Sequence, residues 1–321
     1  MAVYTDIDDE QLDRLLEEYD IGRAVACKGI AEGVENSNFL LQTESGLHIL
    51  TIYEKRVNAA DLPWFLGLLS HLSAQGFPCP IPLTRRDGAV LSEAVGKPAA
   101  IVSFLNGRWP KRPKPHHAYG VGAGLARLHV AGEGFPGTRD NDLSVAAWRP
   151  LLERCGEASD RVTPGLFDSL CSELDMLESG WHEALPRGVI HADLFPDNVF
   201  FVDQDLSGII DFYFACNDAY AYDLAICLNA WCFEADGAFN ITMARQMLSA
   251  YRAVRPLSRL EFDSLPLLAR GAAMRFLLTR LYDWINYPEG AMVTPKNPLE
   301  YWEKLRFHRG ISSASAYGLD F

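Results

Sequence analysis

The stretch "VIHADLFPDNVFF", Val189 to Phe201, followed closely by "IIDF", Ile209 to Phe212, constrains the fold of this chain most tightly. Two apolar runs, Val199–Val202 and Leu206–Ile210, flank the turn-type residues Asp203-Gln204-Asp205 and read as a β-hairpin. A hairpin folds its ends together. Asn198 and Asp211 therefore lie side by side, with Asp193 on the loop before them. An amide oxygen and a carboxylate at adjoining strand ends are hard ligands. They suit Mg²⁺, which keeps some waters and is completed by substrate phosphates.

Asp193 is then free to orient and deprotonate an attacking hydroxyl. A loop Asp as base, with a loop Asn and a second Asp on metal, is how kinase-type phosphoryl transfer divides its labour. Asp, Asn and Pro also favour turns for backbone reasons, and a lone H-x-D would mean no more than that. Here the whole pattern is H-x-D-x-x-x-x-N, strand, turn, strand, D-F. A transition-metal hydrolase built on His191 would need further imidazoles. His48, His71, His116, His117, His129, His182 and His308 offer no H-x-H or H-x-x-x-H spacing.

At 321 residues the chain exceeds one ordinary core, so two lobes are expected. Its net charge of −13, from 42 acids and 29 bases, disfavours nucleic acid and anionic lipid as partners. The densest basic run, "KRPK" at Lys111 to Lys114, sits among prolines and reads as a solvated loop. The seven cysteines are scattered without a C-x-x-C, which implies reduced thiols and a cytoplasmic setting. The acidic, amphipathic N-terminus does not read as a signal peptide. No apolar run reaches the ~18 residues of a membrane span.

Leu12, Leu15, Leu16 and Tyr19 recur at helical spacing behind Thr5 and Asp6 as caps. Strands follow at Asn38–Thr43 and Leu47–Glu54. A helix then carries Leu62, Phe65, Leu66, Leu69 and Leu72 on one face, capped by Asp61 and stopped at Gly76. Ala89 to Leu105 gives two more strands with a turn at Gly96-Lys97. Beyond Gly107 the pattern is mainly helical, at 116–129, around 167–181, and at 223–234, 240–254, 258–285 and 300–309. Ser258 and Glu261 form a capping box, and Pro266 is expected to break or kink the helix behind it. The outline is α+β and bilobal: a β-rich N-terminal lobe, 1–105, and a larger α-rich C-terminal lobe, 106–321, carrying the polar hairpin.

"HADLFPDN" with "IIDF" resembles the catalytic and metal loops of aminoglycoside phosphotransferase-like small-molecule kinases, which share the protein-kinase fold. "LARLH" (Leu125 to His129) and "AYAYDLA" (Ala219 to Ala225) resemble flanking motifs of the same family. Within it, "GVENSNFLL", "DLPWFLGLLSHL", "PAAIVSFLNG" and "RGAAMRFLLTRLYDW" resemble the homoserine kinases. That resemblance implies phosphorylation of the L-homoserine hydroxyl with ATP and Mg²⁺. Choline, methylthioribose or an aminoglycoside are the alternative acceptors. By the same resemblance, Asp193 is the base and Asn198 and Asp211 hold the metal. His191 ties the catalytic loop to the large lobe, and Asp223 braces it. The loop with Gly33, Asn36, Ser37 and Asn38 covers the phosphates. Pro98 to Leu105, with Ser103 and Leu105, reads adenine.

Two departures from the family pattern stand out. The third strand reads "HILTIYEK", which puts Thr51 where a phosphate-binding Lys or Arg is expected. Lys55 shares that face but lies ~13 Å further along. Lys28, Lys55 and Arg56 are the candidates to meet the phosphate charge. The following helix also lacks the matching Glu. These two losses leave a nucleotide-binding pseudokinase as a second reading. For a zwitterionic substrate, charge and amide chemistry make Asn217, Asp218 and Arg275 the candidate contacts. Arg275 sits amid apolar neighbours, so its charge needs a partner. Arg280 and Asp283 share a helix face and read as an ion pair.

Overall fold

The computed structural model describes residues 4–31, 36–54, 58–182, 184–287 and 295–321. The N-terminal part is a five-stranded antiparallel sheet of order β1-β2-β3-β5-β4. Its strands are β1 (Ala24–Gly29), β2 (Ser37–Thr43), β3 (Gly46–Ile52), β4 (Ser92–Ala94) and β5 (Lys97–Ser103). One face buries Phe39, Leu41, Leu50, Ile52 and Ile101 beneath Leu12, Leu15 and Leu16 of α1 (Asp9–Leu16). The opposite face packs Tyr53 and Ala100 on Leu62, Phe65 and Leu66 of α2 (Leu62–Ala74).

Local chemistry corrects several sequence expectations here. The cap of α1 is Asp8, in a reciprocal box with Gln11, and Thr5 and Asp6 do not supply it. Asp61 makes no cap bond, because its carboxylate accepts from Arg139 Nε at 3.2 Å. The turn between β4 and β5 lies at Val95-Gly96, one residue earlier than expected, since Ala94 pairs with Lys97. The edge strand β1 has no sequence signal, as nearly all of it is exposed and nothing alternates.

The C-terminal part is built on α3 (Pro115–Ala131), α4 (Val145–Cys155), α5 (Leu166–Gly180), α6 (Tyr220–Trp231), α7 (Ile241–Val254), α8 (Arg259–Ile285) and α9 (Leu299–Arg309). Two short ribbons sit among them: β6 (Arg187–Ile190) with β9 (Cys216–Ala219), and β7 (Val199–Val202) with β8 (Asp205–Ile209). One core runs through all these helices and reaches Leu68, Leu69 and Leu72 of α2, so α2 is cemented to both parts.

Helix α8 runs unbroken through Pro266. Proline costs ~3 kcal/mol inside a helix. Ser264, Leu265, Pro266, Leu268 and Ala269 are all buried in the core, and that packing offsets the lost backbone bond. Helix α4 was missed in the sequence because Pro150 and a mixed surface obscure its buried Trp148, Leu152 and Cys155. All seven cysteines are free thiols.

The contact of α3 with α7 depends on Gly122. A Cβ there would stand 2.1 Å from the Met247 carbonyl oxygen, and backbone cannot step aside as a flexible side chain can. Gly122→Ala is expected to cost about 3 kcal/mol as the two helices are forced apart. A urea melt would register it, and an unchanged midpoint would contradict the tight crossing.

Candidate active site

The catalytic loop leaves β6 at Ile190 and turns sharply, with Ala192 at φ 62°. A non-glycine residue there costs on the order of 1 kcal/mol and persists only where surroundings impose it. Asp223, at the start of α6, imposes it. Its carboxylate accepts the His191 amide at 2.7 Å and the Ala192 amide at 2.9 Å. His191 works from the other side: Nε2 donates to the Ile210 carbonyl at 2.9 Å, while Nδ1 accepts from the Asp193 amide at 3.3 Å. One imidazole thus joins the loop to the end of the metal strand. Burial holds His191 below the ordinary histidine range, which matches this neutral tautomer.

Asp223 is itself anchored. His129 of α3 donates from Nε2 at 3.1 Å, and Nδ1 of the same ring takes the Tyr251 hydroxyl of α7 at 2.7 Å. Arg255 donates to that hydroxyl at 3.3 Å and to Glu261 of α8 at 2.7 Å. Burial depresses His129, so the contact is carboxylate to neutral imidazole, not an ion pair. Burial works to raise Asp223, yet His129, His191 and the backbone donors outweigh it and hold the carboxyl below its usual range.

The hairpin brings Asn198 and Asp211 together as expected. The Ile210 amide donates to the Asn198 carbonyl at 3.0 Å, so Asp211 emerges beside Asn198, in the left-handed region at φ 65°. Asn198 is almost buried, and its Nδ2 donates to the Asp193 carbonyl at 2.9 Å. That bond turns Oδ1 outward as a ligand oxygen. Amide and carboxylate oxygens fit Mg²⁺ whose remaining positions go to water and phosphate. Among the described residues no cluster of His, Cys, Asp and Glu could hold a metal by itself.

Asp193 is the next group along. Burial raises its pKa to about 6, against the pull of Arg275 and Lys296. Arg275 comes from α8: one guanidinium nitrogen donates to the Ala192 carbonyl and another stands 4.0 Å from Asp193 Oδ1. Only the deprotonated carboxylate can take a proton, so kcat/KM for the acceptor is expected to fall about tenfold per unit below pH about 6. Arg275→Met should move that acid limb upward. A limb that stays below pH 5 in both proteins would contradict the assignment.

The phosphotransferase enzyme family model matches residues 26–257. The homoserine kinase of Rhodospirillum rubrum is 65% identical over 99% of both chains. That of Parvibaculum lavamentivorans is 59% identical over the whole of both chains. The chain belongs to the phosphotransferase enzyme family. An amicoumacin kinase solved with AMP-PNP and Ca²⁺ superimposes at TM-score 0.70, 15% identity, covering 94% of this chain and 92% of that one. A choline kinase of Cryptosporidium parvum does so at TM-score 0.66, 14% identity and 88% of each chain. The phosphotransferase therefore has the bilobal, protein-kinase-like α+β fold that its motifs imply.

In this phosphotransferase the strand position expected for lysine is Thr51. It is buried, and its hydroxyl donates to Asn38 Oδ1 at 2.8 Å. Tyr213, two residues after Asp211, donates to the Tyr53 hydroxyl at 3.3 Å. Its ring meets Tyr53 and Phe65 edge-on at 5.6 and 5.7 Å. Aromatic and hydroxyl contacts thus link β3, α2 and the metal loop where an ion pair would otherwise stand.

Two of the residues expected at the phosphate cover tie the sheet to the N-terminal segment and Glu54. Ser37 Oγ accepts from the Tyr4 and Thr5 amides and donates to Glu54, and Asn36 accepts from the Glu54 amide. Burial works to raise Glu54, but Lys97, Thr5 and Ser37 together hold it below the usual range. Gly33, Lys55 and Arg56 lie outside the described residues. Ser103 is tied to Ile81 through Oγ at 2.9 Å, and Leu105 lies beyond the last ladder pair, His48 with Ser103. The Leu105 backbone is thereby left out of the ladder, although its side chain packs close over Gly208.

Asn217 and Asp218 serve one loop. Asn217 Oδ1 accepts the Arg139 amide at 2.8 Å, and Asp218 accepts from Asn141 at 2.8 Å and pairs with Arg187 at 3.1 Å. Arg280 bonds Glu300 at 2.6 Å. The sequence reading missed Arg139. It bonds Asp61, Asp142 and the Ala215 carbonyl, and it lies over the Phe65 ring at 5.2 Å. Lys296, 5.6 Å over the Phe195 ring, was missed as well. Neither residue sits in a motif, so only the folded chain brings them in.

Proposed function

We propose that this phosphotransferase moves the γ-phosphoryl group of ATP to the side-chain hydroxyl of L-homoserine, giving O-phospho-L-homoserine and ADP. The observation that carries the reading is identity of 65% along nearly the whole chain to a protein named homoserine kinase. Retention of Asp193, Asn198 and Asp211 in one constellation supports turnover over nucleotide binding alone. The N-terminal lobe, 1–105, takes the nucleotide, with Ser103 and Leu105 leading the adenine contact. The C-terminal lobe, 106–321, takes the acceptor. The reaction belongs in the cytoplasm, with no nucleic acid or membrane partner. The acidic net charge favours this reading.

In the reaction the homoserine hydroxyl oxygen bonds to the γ-phosphorus as the bond to the β–γ bridging oxygen breaks. Asp193 accepts the hydroxyl proton. Asn198 and Asp211 would hold Mg²⁺, whose charge would offset that of the transferring phosphates. His191 and Asp223 keep the base in register with these ligands. Arg275 fixes the loop through Ala192 and holds Asp193 ionised near neutral pH.

The test is ADP release from ATP and Mg²⁺ with L-homoserine, choline, methylthioribose, kanamycin or no acceptor. Stimulation by homoserine alone is expected. Stimulation by another alcohol would keep the mechanism and discard the substrate. Nucleotide binding with silence across the panel would favour a pseudokinase, for which Thr51 in place of a strand lysine is the specific observation.

A further inference from the structure

A cleft of about 570 Å³ is lined in part by Arg275, whose guanidinium stands 4.0 Å from Asp193. Asp61, Arg139, Asp140 and Asp142 line another part. The two parts differ in charge. Arg275 is 3% exposed, and its Nε lacks a hydrogen-bond partner among the described residues. A buried guanidinium N–H left unmade is costly, so an acceptor that reached it from the cleft would be held strongly. Beside Arg139, three carboxylates line the cleft, and two of them are already bonded to its guanidinium. Asp140 is exposed, and its carboxylate has no partner among the described residues. That part of the cleft carries surplus negative charge.

We infer that this cleft binds the α-amino-acid head of the acceptor, its carboxylate on Arg275 and its ammonium on the acidic cluster led by Asp140. The inference rests on the homoserine reading and adds the polarity of the bound substrate. Arg275 Nη stands 4.0 Å from Asp193 Oδ1, so a hydroxyl on Asp193 and a carboxylate on Arg275 suit a short chain between them. The ammonium then points to the cluster, away from the transferring phosphoryl group. Arg139 is a positioning residue here: it holds Asp61 and Asp142 in place.

The experiment compares three acceptors that share the hydroxyl and differ in the head. L-homoserine has both charges, 4-hydroxybutyrate lacks the ammonium, and 3-aminopropanol lacks the carboxylate. Arg275→Met also loosens the catalytic loop and slows every acceptor. Beyond that common loss, kcat/KM is expected to fall about 30-fold further for homoserine and 4-hydroxybutyrate than for 3-aminopropanol. Asp140→Lys should cost homoserine and 3-aminopropanol about tenfold and leave 4-hydroxybutyrate unharmed or improved. Equal losses for all three acceptors in both variants would overturn the polarity while homoserine remained the substrate. Wild-type protein that ignores homoserine and phosphorylates another alcohol would overturn the homoserine reading instead.

Discussion

Asp193→Asn is expected to lower kcat about a thousandfold, since a positioned base contributes 10²–10⁴. The protein should nevertheless fold as well as before. Burial raises the Asp193 pKa to about 6, so the folded chain holds that proton more tightly than the unfolded chain does. A raised carboxyl gives stability that is full below the unfolded pKa and lost as pH rises through about 6. At pH 7.5 the wild type carries the full cost of a charged carboxylate in this place, and asparagine removes it. The melting temperature of the variant should therefore hold or rise while activity disappears. A variant that loses activity and stability together would mean that Asp193 is structural. One that keeps near-normal kcat would remove it as the base.

Asp223→Ala should do the opposite and strike the fold first. The carboxylate is fully buried, and it accepts from the His191 amide, the Ala192 amide and His129 Nε2. Alanine leaves three donors unmet in a dry core. Each costs about 1–3 kcal/mol, and breaking a buried charged contact costs about 3–5 kcal/mol in all. Whole-protein stability is only about 5–15 kcal/mol. A large drop in the urea midpoint is expected, with Ala192 no longer held in its left-handed turn and kcat lost alongside. A midpoint within error of wild type would contradict the role of Asp223 as brace.

The catalytic arrangement was legible because it is local. His191 and Asp193 lie on the loop that leads into the β7–β8 ribbon, and Asn198 and Asp211 flank that ribbon, whose pairing follows from two short apolar runs and a tight turn. Asp223 was legible only through the family motif around it, and its partners His129 and Tyr251 come from other helices. The sheet and most long helices were legible for the same reason of periodicity. Exposed β1 and Pro-containing α4 were not, since neither shows a clean apolar period. Arg139 shows the limit. Its role comes from Asp61, Asp142 and Ala215, which are far apart in sequence and meet only in the fold. Asn36 and Ser37 show the same limit: polar residues beside a glycine read as phosphate donors, and the bonds of their side chains to Glu54 and the N-terminal segment appear only in the fold.

The most direct test of the account is the ³¹P NMR spectrum of the product formed from ATP, Mg²⁺ and L-homoserine. The account requires a phosphate monoester whose signal splits against the adjacent methylene protons, appearing in step with ADP and absent with Asp193→Asn. An acyl phosphate, or inorganic phosphate and ADP alone, would contradict attack by the side-chain hydroxyl.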